Sequence, residues 1–278
     1  MGPDLRGPGG LLVAFSGGVD SSLVLASALR ARGADAVVAV TVTSPFHPAS
    51  ELELARRTAA ILGARHVVLE LDPLSDPELR ANPPDRCYRC KRMVFMAMRD
   101  LARDEGLDSL VDGSNADDDG DYRPGRRALE ELGVRSPLRE AGLGKPEIRE
   151  LARALGIPAW DRPAQACLAS RIPYGTELTT DVLRRVERAE QLVLALGLRT
   201  VRVRDHGDVA RIEVDPDALA CVVEPAARAS VVAELKHLGY RYVTLDLEGY
   251  RTGSMNEVLG HPAASQIGGS GGAAESRS

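Results

Sequence analysis

Ser16-Gly-Gly-Val-Asp-Ser-Ser22 decides how this chain folds. The apolar run Leu11-Leu-Val-Ala-Phe15 precedes it, and residues 23–30 follow with the composition of a helix. A strand, a glycine-rich turn and a helix start together make a phosphate site. The first helical N–H groups are unpaired, and the helix N-terminus carries roughly +0.5 of an elementary charge. Gly17 and Gly18 lack a Cβ, so the backbone can approach an anion closely. Ser16, Ser21 and Ser22 add hydroxyl donors. The loop lacks the Gly-Lys-Ser/Thr ending of a Walker A loop, which argues against an ordinary kinase or GTPase.

Outward from that loop, the chain has 278 residues and is 44% apolar, enough for one large or two modest domains. The formal net charge of −5 gives no overall positive field to steer it to nucleic acid. Of 35 basic residues only Lys91, Lys145 and Lys236 are lysines. Compositional bias explains most of this arginine excess, although Arg also binds carboxylate and phosphate bidentately. No run reaches the ~18 apolar residues of a membrane helix. The N-terminus lacks a basic-then-apolar signal segment. The expectation is a cytoplasmic protein with no membrane and no nucleic-acid partner. Four cysteines in that compartment suit reactive thiols or metal ligands better than structural disulfides.

Residues 1–10 and 263–278 are rich in Gly, Ser, Ala and Pro and are expected to be disordered. Between 11 and 165, strands at 11–15, 37–42, 66–71 and 109–112 alternate with helices at 21–32, 49–62, 90–105 and 146–155. The fold class is α/β: a parallel sheet with helices on both faces, and ligands bound beyond the carboxyl ends of the strands. The phosphate loop, Thr41, Ser44, Gly113 and Asn115 all fall at such ends. From 166 to 262 the pattern changes. A helix at 178–196, paired strands at 201–204 and 210–214 with a turn at Gly207-Asp208, a helix at 225–238 and a strand at 242–246 predict a small α+β domain.

Cys87-Tyr-Arg-Cys90 precedes a helix and suits redox exchange, zinc or iron–sulfur chemistry, with two partly buried helix cysteines as the plain structural reading. Cys167 lies where the two patterns meet, four positions before Arg171, whose guanidinium would lower the thiol pKa. Cys221, in the apolar run Ala218-Leu-Ala-Cys-Val-Val223, reads as core.

The loop at 16–22 resembles the PP-loop of the ATP pyrophosphatases (adenine nucleotide alpha hydrolase-like fold). Asp85-Arg-Cys-Tyr-Arg-Cys-Lys91, Asp112-Gly-Ser-Asn-Ala-Asp-Asp118, Ala166-Cys-Leu-Ala-Ser-Arg-Ile-Pro-Tyr-Gly175 and Val201-Arg-Val-Arg-Asp-His206 follow it in order. Together these segments resemble the LarE family, sulfur transferases of nickel-pincer-nucleotide assembly, over residues 10–257. The segment around Cys167 is the most specific. The resemblance implies that ATP, with Mg²⁺, adenylates pyridinium-3,5-biscarboxylic acid mononucleotide. A sulfur nucleophile then displaces AMP, and two rounds give the bis-thiocarboxylate. In one class of the family the cysteine matching Cys167 is sacrificed. In the other, cysteines matching Cys87, Cys90 and Cys167 hold a 4Fe-4S cluster with one open iron. This chain has all three, and the cluster version is the expectation.

By the same resemblance, Ser16, Gly17, Gly18, Asp20, Ser21 and Ser22 contact the ATP phosphates, with Asp20 near Mg²⁺. Thr41, Ser44, Gly113 and Asn115 complete the nucleotide site. Cys167, Asp20 and Arg171 are the catalytic candidates. Arg171, Arg202, Arg204 and Arg251 are candidates for the anionic substrate. Asp117-Asp-Asp119 reads equally as a solvated loop or a metal site, and Tyr250-Arg-Thr-Gly-Ser-Met-Asn256 as a subunit contact or a phosphate contact. A homo-oligomer and a downstream nickel-insertion partner are further expectations. The competing readings are a tRNA thiolase, an NAD synthetase-like enzyme, and a nucleotide-responsive redox sensor without turnover.

Overall fold

The computed structural model describes residues 5–7, 9–120, 124–158, 160–163, 165–251, 253 and 254. Four parallel strands, β1 (Gly10–Ala14), β2 (Val37–Thr43), β3 (Arg65–Glu70) and β4 (Leu107–Val111), form a sheet in the order β3-β2-β1-β4. The register aligns Leu12 with Val38 and Val40 with Val67. β1 and β2 are almost wholly buried, as expected of parallel strands covered on both faces.

Among the described residues, seven α-helices belong to this half: α1 (Val19–Arg32), α2 (Ala49–Leu62), α3 (Pro77–Arg80), α4 (Arg86–Asp104), α5 (Pro124–Glu131), α6 (Pro137–Glu140) and α7 (Lys145–Ala154). Leu11 and Val13 face α1 and α7, where Leu23, Leu25, Ile148 and Ala152 are buried. Leu12, Val38 and Val40 face the other way, onto Phe95, Met98 and Ala102 of α4. Alternation along β1 thus feeds two cores, one on each side of the sheet. Leu5 is also buried in the first core, and its carbonyl accepts from Arg32 Nε at 2.7 Å. Within the stretch 1–10, Leu5 thus has a place in the core, and residues 1–4 and 8 lie outside the described residues. The tail 263–278 lies outside the described residues.

The second half contains α8 (Thr180–Leu194), β5 (Val201–His206), β6 (Val209–Val214), α9 (Leu219–Val223), α10 (Pro225–His237) and β7 (Tyr242–Leu245). Thr179 caps α8 by accepting from the Val182 N–H. Glu224 caps α10 through the N–H groups of Ala226 and Ala227. β5 and β6 are antiparallel around Gly207, at φ +72°, and β7 adds parallel to β6 after the helical crossover. Cys221 is exposed, contrary to the core expectation. α9 has little more than one turn and buries Val222 alone, so its neighbour faces solvent.

A third cluster joins the halves: Phe46, past β2, packs with Leu168, Ala169, Ile172, Leu178, Leu183 and Val186. The Leu168 N–H donates to the Phe46 carbonyl at 2.9 Å. Among the described residues no helix is long and apolar enough to cross a membrane.

Candidate active site

The carboxyl ends of the β-strands open into a cavity of about 720 Å³. Ser16, Gly17, Gly18, Asp20 and Ser21 form one part of its lining. Gly17 has φ +76°, and a Cβ there would lie 2.8 Å from the Ala55 backbone. Glycine is required twice over, by conformation and by the close passage of α2. Ser21 Oγ accepts from the Ser16 N–H at 3.2 Å and donates to the Gly18 carbonyl at 3.1 Å, which fixes the turn. Across from it, a Cβ on Gly113 would come within 2.9 Å of the Ser21 nitrogen. The bare glycine keeps the front of α1 open. Ser22 Oγ is buried with no hydrogen-bond partner, although it does not line the cavity. Asp20 pairs with Lys145 Nζ at 2.5 Å, and Asn115 Nδ2 lies 3.4 Å from the same carboxylate.

Thr41 lines the cavity, but its hydroxyl donates to the Phe15 carbonyl at 2.6 Å and meets His66 Nε2 at 2.8 Å. Ser44 stands behind the lining: its hydroxyl accepts from the Phe46 N–H at 3.2 Å and contacts His47 Nδ1 at 3.0 Å. Asp117 and Asp118 also line the cavity, yet both shape its wall: Asp117 accepts from the Lys145 N–H, Asp118 from the Asn115 N–H. The side chain of Asp119 lies outside the described residues.

Cys87, Cys90 and Cys167 line this same cavity. Helix α4 starts at Arg86, earlier than residue 90, so both cysteines of the pair fall within its first five residues, three positions apart on one side. Asp85 stands at that start without a side-chain cap, its carboxylate accepting from Arg89 Nε one turn on at 2.9 Å. Cys167 is brought across by stitches between 167–178 and 80–86. Asn82 Nδ2 donates to the Pro173 carbonyl at 2.8 Å, the Leu178 N–H to the Arg80 carbonyl at 2.8 Å, and Arg86 Nη1 to the Ala169 carbonyl at 3.0 Å. Burial pushes the Cys90 thiol up to about 12, with Cys167 and Cys87 adding to the rise. Burial also raises the Cys167 thiol, with Arg86 the strongest cation acting against it and Arg171 the weakest. Arg171 acts on the thiol in the expected direction, but burial outweighs it, so the Cys167 thiol is raised rather than activated. The three thiols act on one another electrostatically, and among the described residues no group of three or more His, Cys, Asp or Glu closes around a single ion.

The four arginines expected at the substrate do not line the cavity. Arg171 is fully buried and grips Glu190 with Nε at 2.7 Å and Nη2 at 3.1 Å, while Nη1 donates to the Ala166 and Cys167 carbonyls. Arg204 pairs with buried Glu213 at 2.6 Å and donates to Ser254 Oγ and the Ser170 carbonyl. Arg202 is buried over the Tyr250 ring, and that burial lowers its pKa. Arg251 pairs with Glu248 at 2.7 Å. Thr252, Met255 and Asn256 lie outside the described residues.

Sequence reasoning missed Lys145, Arg149, Arg86, and the Glu51–Arg162 pair at 2.8 Å, all on the cavity wall. One signal was available. Two of the three lysines of this arginine-rich chain, Lys91 and Lys145, line the cavity.

A parallel sheet with a lysine-free, glycine-rich phosphate loop ahead of its first helix defines a PP-loop ATP pyrophosphatase. The asparagine synthase family matches residues 6–85, from the approach to β1 to the start of α4. A Lactiplantibacillus plantarum protein described as pyridinium-3,5-bisthiocarboxylic acid mononucleotide synthase is 42% identical over 247 residues, 89% of each chain. An uncharacterized protein of Synechocystis is 44% identical over 248 residues, 89% of this chain and 92% of its own. A tRNA-specific 2-thiouridylase of Methylobacterium nodulans is 33% identical over 193 residues, covering 55% of this chain and 50% of that one. The chain belongs to the LarE family of the PP-loop superfamily.

Proposed function

We propose that this enzyme converts pyridinium-3,5-biscarboxylic acid mononucleotide into the bis-thiocarboxylic acid, at the cost of ATP split to AMP and pyrophosphate. The observation that carries the reading is the sharing of one cavity by the phosphate loop and three thiols. A carboxylate is a poor acyl donor until adenylated, and sulfur is a strong nucleophile that displaces AMP. Both halves of that chemistry need to reach one bound substrate. The loop amides, Ser16 and Ser21 receive the phosphates at the N-terminus of α1. Asp20 holds the Mg²⁺ that accompanies ATP.

Two sulfur sources fit the site. In the first, Cys87, Cys90 and Cys167, which line one cavity, would hold a 4Fe-4S cluster. Three protein ligands leave one iron open, and such a cluster, when bound, supplies an exchangeable sulfide. The chain's own part is to hold three thiols on the wall of one cavity, with Arg86 tying α4 to the Cys167 segment. In the second, Cys167 gives up its own sulfur. The first is favoured because both Cys87 and Cys90 line the pocket.

The test is one anaerobic turnover on iron-reconstituted protein with Mg-ATP, sulfide and the dicarboxylate mononucleotide. Product and intact protein mass are read together. Thiocarboxylate with Cys167 intact supports the cluster, and product with dehydroalanine at 167 supports sacrifice. No product and no pyrophosphate overturns the substrate. A tRNA thiolase is the second reading, favoured by the thiouridylase similarity alone. It predicts tRNA binding with a steep salt dependence, against a net charge of −5.

A further inference from the structure

The phosphate loop has an electrostatic gap. Its only charged residue is Asp20, an anion, whereas ATP brings about four negative charges and the pyrophosphate it releases about three, which one Mg²⁺ neutralises only in part. The dipole of α1 offers roughly half a positive charge. A Walker-type loop would fill this gap with its own lysine. Here the cations come from another element. Lys145 and Arg149 stand one turn apart on α7, and both line the cavity. Spacing of four places them on one helix face. The neighbouring row of α7, Ile148 and Ala152, is locked into the core against α1, so the two cations are carried on a rigid mount. Lys145 Nζ reaches both oxygens of Asp20, at 2.5 and 2.7 Å, from 125 residues away in sequence. Arg149 Nε is buried with no hydrogen-bond partner, a donor left unmatched on a residue that lines the cavity. The N-terminus of α7 is not itself the site, because Asp117 accepts from its Lys145 N–H at 2.7 Å.

We propose that Lys145 and Arg149 form the clamp for the β and γ phosphates of ATP, standing in for the lysine the loop lacks. The proposal rests on the ATP-splitting half of the proposed function and is independent of the carboxylate substrate. Without nucleotide, Lys145 neutralises Asp20. When ATP binds, its ammonium turns from Asp20 to the phosphate oxygens, and Arg149 adds the donor now unmatched. In the adenylation step a substrate carboxylate oxygen bonds to the α phosphorus. The bond from that phosphorus to the α–β bridging oxygen breaks, and the electron pair leaves with pyrophosphate. Charge builds on the leaving group, where the two cations lie, so they stabilise the transition state more than bound ATP.

The experiment measures Kd for Mg-ATP, Mg-pyrophosphate and AMP by calorimetry on the full chain and on Lys145→Gln, Arg149→Gln and Lys145→Arg. AMP has no β or γ phosphate and serves as the internal control for folding. The expected result is a tenfold or greater loss of ATP and pyrophosphate affinity in both Gln variants, AMP within twofold, and partial recovery in Lys145→Arg. Equal losses for AMP and ATP would mean the residues only hold α7 in place and would overturn the clamp. Unchanged ATP and pyrophosphate affinities would overturn it as well. Failure of the unsubstituted chain to bind ATP would remove the pyrophosphatase reading and the clamp with it. Failure to convert the dicarboxylate while these affinities behave as expected would overturn the substrate alone.

Discussion

The small sheet and the cavity wall use the same residue types to opposite ends. Behind β5, Arg171 is held by Glu190 and two carbonyls, and Asp205 receives Arg185 and the Tyr240 hydroxyl. Arg204 is held by Glu213, Ser254 and Ser170, keeping only its Nε without a bond. Around the cavity, Arg149 has an unmatched buried Nε, and the Asp20–Lys145 pair remains partly open to solvent. Saturated polar groups fix shape, because a buried charge is tolerated only when its bonds are made. Unsaturated ones beside an open volume are free to meet a ligand. A motif match cannot separate these cases, since both begin as a charged residue in a distinctive segment.

The largest expected effect belongs to the cavity. Cys167→Ala should abolish sulfur transfer while ATP-dependent pyrophosphate release continues, read by assaying both products in one reaction. Loss of both would move Cys167 to the structural side of the comparison, with Phe46 and Leu168. Next comes Arg171→Leu, which strands Glu190 in the interior. Breaking a buried pair costs about 3–5 kcal/mol, seen as a large fall in denaturation midpoint. The double variant Arg171→Leu Glu190→Leu should regain much of it. An unchanged midpoint with a raised KM would place Arg171 at the substrate instead. Gly113→Ala is smaller. Its Cβ would stand 2.9 Å from the Ser21 nitrogen and 3.1 Å from the Ser21 Cα, both backbone atoms, so the front of α1 must shift; ATP affinity should fall about tenfold, or ~1.4 kcal/mol, together with a lower denaturation midpoint. An unaffected affinity would mean that the phosphates do not use this front of α1.

Much of the fold was legible because apolar runs of strand length alternate with helical stretches, and because glycine and the capping Thr179 mark their ends. The early start of α4 was not. Its first five residues, Arg86-Cys-Tyr-Arg-Cys90, carry no apolar period, and their place is set by bonds to the Cys167 segment. Cys221 misled for the reverse reason: apolar neighbours in sequence say nothing about which face of a one-turn helix is covered. At the site, the loop and the thiols were readable as local motifs. Lys145 was not, because its partner Asp20 is 125 residues distant. The roles of Arg171 and Arg204 were also hidden, since sequence shows a charge but not the carboxylate that occupies it.

The smallest effect tests how the two regions respond to acid. Thr41 Oγ1 has one proton and donates it to the Phe15 carbonyl, so it accepts from His66, which carries its proton on Nε2. Burial first, then Arg56, lowers the His66 pKa, so the folded protein keeps the ring neutral. His206, at the end of β5, is lowered by burial and then by Arg211. A depressed folded pKa means that the unfolded chain binds the proton more readily. The stability is therefore complete above the unfolded value near 6.5 and declines as pH falls below it. Both rings are partly exposed, so each contributes less than about 1 kcal/mol. His66→Gln should flatten the decline in denaturation midpoint between neutral and mildly acidic pH, and ATP affinity should lose the same share of its pH dependence, because Thr41 lines the cavity. His206→Gln should flatten the midpoint alone. If the two variants alter ATP binding equally, the small sheet is coupled to the nucleotide, and the division between scaffold and site drawn from their hydrogen bonds does not hold.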